Sequence, residues 1–471
     1  MTVRGVDWRP WGAGAFARAR AEGRPVLLFV EAPWCTASLE MARTTYADSA
    51  VEALVHDRFV PIRVDADRRP DIAERYTLGG LPTTAFLDPD GNVLGGGTFV
   101  PIERMAGVLT RAADLFASTR DSGPHQPHPP SEQSPDRSAG PIAEDDLVAI
   151  VFDSFDAEHG GFGVQPKFPV TAPIELALTR YRATRDPRMA LIAETTLDAM
   201  GWGELFDEAD GGFFRCADSR DWRQPRREKL LEVNASLLRT YVDAAEALRI
   251  TRYLERAGDI LRYVQTWLAD QADGGWSGSQ RGADGSIDQT LYSGWNALMA
   301  SAALRASAAM NDTGLGEFAV RSLERVLLAA YRPGEGVAHY VEDGRACVRG
   351  LLDDQIAMAS AQLDAYDATG NIVYEMMAQE LAHYSIRTMW DDEHGGFFDR
   401  SVADDDERVG LMGERLKPFV GNCDAARMLR RLAEVSGQIE FTERADSTLA
   451  AMASAAANHG PLAAHYLLAK S

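Results

Sequence analysis

The stretch STRDSGPHQPHPPSEQSPDRSAGP, Ser118 to Pro141, divides this 471-residue chain in two. It is rich in Pro, Ser and Gly and has no large aliphatic side chain whose burial could offset the entropy of ordering, so it reads as a disordered linker. The sequences on either side follow different periodicities. Upstream, residues 1–117 mix strand-length apolar runs with helical stretches, whereas residues 142–471 are almost wholly helical in pattern. The expected organisation is an α/β domain over 1–117, a linker over 118–141, and an all-α domain over 142–471.

Working back from the linker, Pro25-Val-Leu-Leu-Phe-Val30 is a continuous apolar run of strand length, the mark of a strand covered on both faces. Phe16 to Ala21 before it looks helical. After it come a loop at Ala32-Pro-Trp-Cys35, a helical stretch to about His56, and a second strand, Phe59 to Val64. A third strand at Thr83–Leu87 passes through an Asp-Pro-Asp-Gly91 turn into a fourth near Val93–Gly97. A β-α-β unit followed by a hairpin is the order of thioredoxin-like folds.

Working forward, about a dozen amphipathic helices are expected, with no convincing strand among them. Leu238, Tyr241, Val242 and Ala245 share one face, as do Ile356, Ala359, Leu363 and Tyr366. Glycine turns recur at His159-Gly-Gly-Phe-Gly163, Asp210-Gly-Gly-Phe-Phe214, Asp273-Gly-Gly-Trp-Ser277, Gly334-Glu-Gly-Val337 and His394-Gly-Gly-Phe-Phe398. Their spacing, about two helices plus connections, implies stacked helical hairpins, and a count of about twelve helices makes them six. The turns suit tight excursions at one rim with an aromatic folded over the mouth, which favours a closed (α/α)6 toroid over an open superhelix.

Composition narrows the function. With 48 Lys plus Arg against 70 Asp plus Glu, the formal charge is −22, which repels a phosphate backbone and argues against nucleic acid. No run is long and apolar enough to span a bilayer, and Met1 to Gly14 lacks the pattern of a secretory leader, so no membrane partner and a cytoplasmic location are expected. The four cysteines, Cys35, Cys216, Cys347 and Cys423, form no Cys-x-x-Cys pair. No metal site and no cofactor are expected.

Cys35 follows the buried strand and opens a helix, where unpaired backbone N–H groups favour a thiolate. Three residues on stands Ser38, so intramolecular disulfide formation is unavailable and the site is at most monothiol. Gly80-Leu-Pro82-Thr-Thr resembles the thioredoxin loop in which a cis-proline lies against the active-site sulfur. Trp34, Cys35, Ser38 and Pro82 form the candidate redox loop, and its bland alternative is a silent docking module.

Phe29 to Gly97, taken together, resembles the thioredoxin domain of the spermatogenesis-associated protein twenty family, which joins that domain to a six-hairpin toroid. Gly160-Gly-Phe-Gly-Val-Gln-Pro-Lys-Phe-Pro169 is similar to the family's Pro-Lys-Phe-Pro segment, and Glu228-Lys-Leu-Leu-Glu-Val-Asn-Ala235 to its Glu-Lys-x-Leu-x-x-Asn-Ala. Ser293-Gly-Trp-Asn296-Ala-Leu-Met, Leu351-Leu-Asp-Asp354 and Lys417-Pro to Gly421-Asn422 match further motifs. The resemblance implies a toroid similar to glycoside hydrolases and N-acylglucosamine 2-epimerases, with no established reaction. The chain departs from the family at Ser38, at Val233 in place of an Asp, and at Gln355 in place of a Tyr.

From these motifs Glu228, Asp353 and Asp354 are the candidate catalytic carboxylates, since glycoside cleavage needs one acid for the leaving oxygen and another to activate water or attack carbon. Cys35 is the candidate nucleophile of the other half. Lys167, Asn234, Trp295, Asn296, Asn422 and Trp276 are the candidate sugar contacts, with Phe162, Phe213 and Phe397 as further platforms. The competing assignments are structural: helix caps for the acids, ties between helix ends for Asn and Lys, and core for the aromatics. Three readings follow: a carbohydrate-binding or carbohydrate-processing toroid with a sugar ligand, monothiol exchange through Cys35 with a protein thiol partner, or a non-enzymatic protein-interaction scaffold.

Overall fold

The computed structural model describes residues 5–120, 142–282, 284–402 and 407–471, so most of the expected linker lies outside the described residues. Two compact units emerge. The first takes the N-terminal residues together with 402–415, and the second takes the rest of the downstream chain.

The N-terminal unit runs α1 (Ala13–Glu22), β1 (Val26–Glu31), α2 (Thr36–Arg43), α3 (Ser49–Arg58), β2 (Val60–Asp65), α4 (Pro70–Tyr76), β3 (Thr83–Leu87), β4 (Val93–Gly97) and α5 (Ile102–Arg120). The sheet order is β2-β1-β3-β4, with β1 parallel to β2 and antiparallel to β3. Side chains alternate across a strand, so Val26, Leu28 and Val30 enter one core and Leu27 and Phe29 the other. That double burial is why β1 is apolar at every position. Helix α5 continues to Arg120, past the boundary at 117 expected from composition.

The first of these cores is completed from far downstream. Val409 and Met412 pack with Trp11, Phe16 and Tyr76. The strap is held by its backbone: Arg75 donates from Nε to the Leu411 carbonyl at 3.1 Å and from Nη2 to that of Glu414 at 2.7 Å, and Leu411 N–H donates to the Tyr76 hydroxyl at 2.9 Å. Gly410 approaches Gly91 so closely that a Cβ on Gly91 would lie 2.7 Å from the Gly410 Cα.

The second unit contains twelve helices among its described residues: α6 (Glu144–Asp153), α7 (Ala172–Thr184), α8 (Pro187–Gly201), α9 (Leu231–Leu248), α10 (Thr251–Tyr263), α11 (Ser293–Met310), α12 (Thr313–Ala330), α13 (Leu352–Thr369), α14 (Ile372–Met389), α15 (Phe419–Ser436), α16 (Ile439–Met452) and α17 (Ala464–Lys470). Helices α7, α9, α11, α13, α15 and α17 contact one another in sequence, and α17 returns to α7. The inner ring therefore closes. Helices α8, α10, α12, α14 and α16 each back the inner helix that precedes them, and α6 packs on α17. The last hairpin is thus made from the two ends of the unit, and the fold is an (α/α)6 toroid.

One expectation fails here. The region around Gly334–Val337 is not a tight glycine turn but a hairpin, Gly336–Glu342 antiparallel to Arg345–Arg349.

Candidate functional site

Each outer helix returns to the next inner helix through a turn at one rim, and four of these turns share one construction. An Asp accepts backbone N–H groups two and three residues on, as Asp156, Asp207, Asp270 and Asp391 all do. A cation then locks the acid: Lys167 Nζ lies 2.9 Å from Asp156, Lys229 2.7 Å from Asp207, Arg325 2.8 Å from Asp270 and Lys417 2.6 Å from Asp391. Lys229, Arg325 and Lys417 also donate to the carbonyls of Gly211, Gly274 and Gly395 in the same turns.

These locks shift the ionisation of their members. Burial pushes the Asp391 carboxyl up, but the Lys417 hydrogen bond and the backbone donors outweigh it and bring it down to about 2. Burial likewise opposes ionisation of Asp156, and donation from Arg220 and Lys167 holds it far below the usual carboxylate range. Lys167 is fully buried and donates to Asp156 and to the Arg220 carbonyl, 2.9 Å in each case, so its charge serves the turn.

The three candidate asparagines belong to a second repeated device. Asn234 accepts from Phe213 N–H at 2.8 Å and donates to the Phe213 and Leu230 carbonyls. Asn296 does the same with Trp276 and Tyr292, and Asn422 with Phe397 and Pro418. Gln355 repeats it on Val337 and Leu351, which places the hairpin in the same slot as the glycine turns. All four amides are buried, with both NH2 hydrogens and the oxygen given to backbone. They carry no donor toward the ring axis.

The turn aromatics are core as well. Phe162, Phe213, Trp276 and Phe397 are buried, and Trp276 meets Phe318 edge-on at 5.2 Å. None of them covers the mouth. Glu228 is buried and ion-paired with Arg215 at 2.9 Å.

What faces the axis at the first turns of the inner helices is a smaller set. Asp353 is exposed, and Trp295 is half-buried against Tyr292, ring centroids 4.4 Å apart. Asp354 is buried; its Oδ1 accepts from Gly294 N–H at 3.1 Å and its Oδ2 meets His339 Nδ1 at 2.9 Å. A Cβ on Gly294 would come within 3.0 Å of that Oδ1, so a glycine there lets α13 reach α11. His339 rises from the hairpin and lies 5.6 Å from the Tyr292 ring.

Glu232, in the first turn of α9, is different from all of these. Among the described residues no hydrogen bond or ion pair engages its carboxylate. Its pKa is raised by burial, with Arg215 and His339 within electrostatic reach pulling the other way. Its side chain is only partly covered from solvent, so water still reaches a carboxyl whose charged form the surrounding protein disfavours. Sequence reasoning chose Glu228, four residues upstream in the same motif. It missed both Glu232 and His339. Helical phase could have found the former, since Glu232, Ser236, Arg239 and Asp243 form one stripe at a spacing of three to four.

In the N-terminal unit, Cys35 stands at the N-cap of α2, buried, with its Sγ 3.8 Å from the Leu81 carbonyl. The Leu81–Pro82 bond is cis. Ser38 is fully buried and accepts from Ala32 N–H at 3.5 Å, while Trp34 Nε1 donates to Asp67 at 2.6 Å. Among the described residues no cluster of three or more His, Cys, Asp or Glu could hold a metal ion, and no helix is long and apolar enough to cross a membrane.

Residues 2–122 match the thioredoxin DsbH family model, a protein of unknown function, DUF255. Over 304 residues, 58% of this chain, the sequence is 28% identical to human spermatogenesis-associated protein 20. Over that span the chain is similar to spermatogenesis-associated protein 20. The match spans 38% of the length of spermatogenesis-associated protein 20. By fold, 64% of the chain superposes on 85% of a cellobiose 2-epimerase from Bacillus thermoamylovorans, TM-score 0.54 at 11% identity. A glycoside hydrolase family 76 mannosidase from Bacteroides thetaiotaomicron superposes over 69% of this chain and 96% of its own, TM-score 0.52 at 10% identity. At such identities the likeness is one of fold, and it agrees with the toroid formed by the inner and outer helices.

Proposed function

We propose that the toroid binds and processes carbohydrate by proton transfer at the mouth of its ring. The observation that carries this reading is Glu232: a partly solvated carboxyl with no partner among the described residues and a pKa raised by burial, near a histidine paired with a buried acid. A carboxyl whose pKa is raised by burial keeps its proton to higher pH than a free one and is the better placed to give it to a glycosidic or hydroxyl oxygen. His339, held at Nδ1 by Asp354, is the complementary base, and Trp295 offers a flat face to a sugar ring. Proton donor and proton acceptor on one cavity serve either glycoside cleavage or proton transfer at a sugar carbon.

The test is a panel of neutral mono- and oligosaccharides read by product analysis and by thermal stabilisation. Glu232→Gln and Asp354→Asn are expected to lose turnover by about 100-fold or more, the usual contribution of a positioned acid or base. Absence of any response to sugars by the parent protein defeats the reading.

The N-terminal unit supports a second activity, monothiol exchange in which the Cys35 thiolate attacks a disulfide of a protein partner, forming a mixed disulfide and releasing the partner's other sulfur as a thiol, because the sulfur lies beside the Leu81 carbonyl at a helix start. The rate of iodoacetamide alkylation against pH checks it. A profile like that of an ordinary thiol leaves this unit a docking module.

A further inference from the structure

We infer that the ring is a dead-end well, so that its ligand is a sugar chain's end or a free small sugar inserted end-on and not the interior of a polymer laid across the mouth. This deepens the carbohydrate reading and rests on it. The evidence is a belt of ion pairs that lines the inside of the ring below the mouth. Arg239 of α9 reaches Asp364 of α13 at 3.3 Å, passing over α11, and Arg427 of α15 pairs with Glu175 of α7 across α17. These are chords of the ring, not bonds between neighbours. Arg431 joins Asp364 to α15 at 2.6 Å, Arg305 joins Asp243 to α11 at 2.8 Å, and Arg182 joins Glu246 to α7 at 3.5 Å. His465 and Asp424, 2.8 Å apart, bring in α17. All six inner helices are thereby joined in one belt, and within it Arg427 of α15 lies in electrostatic reach of Asp243 on the opposite helix α9, as Arg239 does of Glu175 on α7.

The depth of the well follows from helix geometry. Glu232 and Arg239 lie on the same stripe of α9, seven residues apart, which at a rise of about 1.5 Å per residue places the floor about 10 Å below the acid. Between them the stripes carry small groups, Ser236 on α9 and Ala357 and Ser360 on α13, all partly open to solvent. The space is polar, narrow and closed below. A polymer threading through would have to break the charged pairs, and their number and mutual enclosure make that costly.

Filling the well tests this. Ser360→Trp places a large ring between mouth and belt and leaves Glu232, Asp354 and His339 untouched. Turnover of responsive sugars is expected to fall by at least about tenfold with the variant still folded by melting temperature and far-UV circular dichroism. In parallel, each responsive linear oligosaccharide is compared with a copy blocked at both ends, reduced to the alditol at one and carrying a benzylidene acetal at the other. The blocked copies are expected to be at least about tenfold poorer ligands. Equal response to free and blocked copies, or a folded Ser360→Trp protein of full activity, overturns the end-on well and leaves the carbohydrate reading standing. If Ser360→Trp does not fold, the blocked copies decide alone. Silence of the parent protein toward every sugar overturns both.

Discussion

Two layers of the same helix starts obey opposite rules. In the clamp layer, Asn234, Asn296, Asn422 and Gln355 are buried and every polar atom is engaged, and Lys167 and Lys229 are buried against aspartates. In the axial layer, two residues earlier on the helix, Glu232 and Asp353 meet water, and Glu232 bonds to nothing among the described residues. The motif residues with the most suggestive chemistry are the ones that hold the turns. The difference teaches that in a ring built from repeated hairpins, a polar residue repeated at equivalent positions marks architecture, and a polar residue present at one position marks chemistry.

The sharpest break in that comparison comes from the clamp layer. Lys167→Met leaves Asp156 buried with only Arg220 to neutralise it, at 2.7 Å. Removing one partner of a buried pair costs about 3–5 kcal/mol, and the retained Arg220 keeps this case near the lower end. Urea unfolding of the full chain measures it. A loss under about 1 kcal/mol would show that Lys167 is not a lock and would return it to the axial set.

A smaller loss is expected from Asn296→Ala. It strips partners from Trp276 N–H and from the Trp276 and Tyr292 carbonyls, yet the cavity is small and the carbonyls have second lone pairs to share. About 2 kcal/mol is the expected destabilisation, again by urea unfolding. Sugar response per folded molecule should be unchanged, because the amide faces away from the axis.

Much of the fold was legible. The apolar run at Val26–Val30 announced a strand between two cores, Thr83–Leu87 and Val93–Gly97 were read at their observed bounds, and the number of amphipathic segments carried the hairpin count. The strap at 407–415 was not legible, because its partners Tyr76 and Arg75 lie more than 300 residues upstream and nothing local encodes the pairing. The hairpin at 336–349 carried a signal that was passed over: Asp343-Gly344 between two strand-length segments, with Asp343 at positive φ. Glycines at Gly334 and Gly336 instead suggested a fifth copy of the turn. The candidate site suffered from the same cause. Recognition of a motif weights every matched residue alike, whereas Glu228 sits just ahead of the two-residue strand Lys229–Leu230 that precedes the helix and pairs with Arg215, and Glu232 sits one turn on, in phase with the axis.

The smallest expected effect has the opposite sign and discriminates best between the layers. Burial raises the Glu232 pKa in the folded protein above its unfolded value, so the folded state binds this proton more tightly than the unfolded chain does. Below the unfolded value, about 4.3, both states are protonated and the residue is neutral to stability. As pH rises past it toward and through the folded value, ionisation is disfavoured in the fold and stability is lost. Glu232→Gln removes the ionisable proton and keeps the shape. It should therefore match the parent protein at acid pH and melt slightly higher at neutral pH, the reverse of every clamp substitution. A residue whose neutral replacement strengthens the fold has been kept for something other than the fold. A neutral-pH melting temperature that drops with Glu232→Gln would place Glu232 among the clamps, and the acid at the mouth would have to be sought at Asp353.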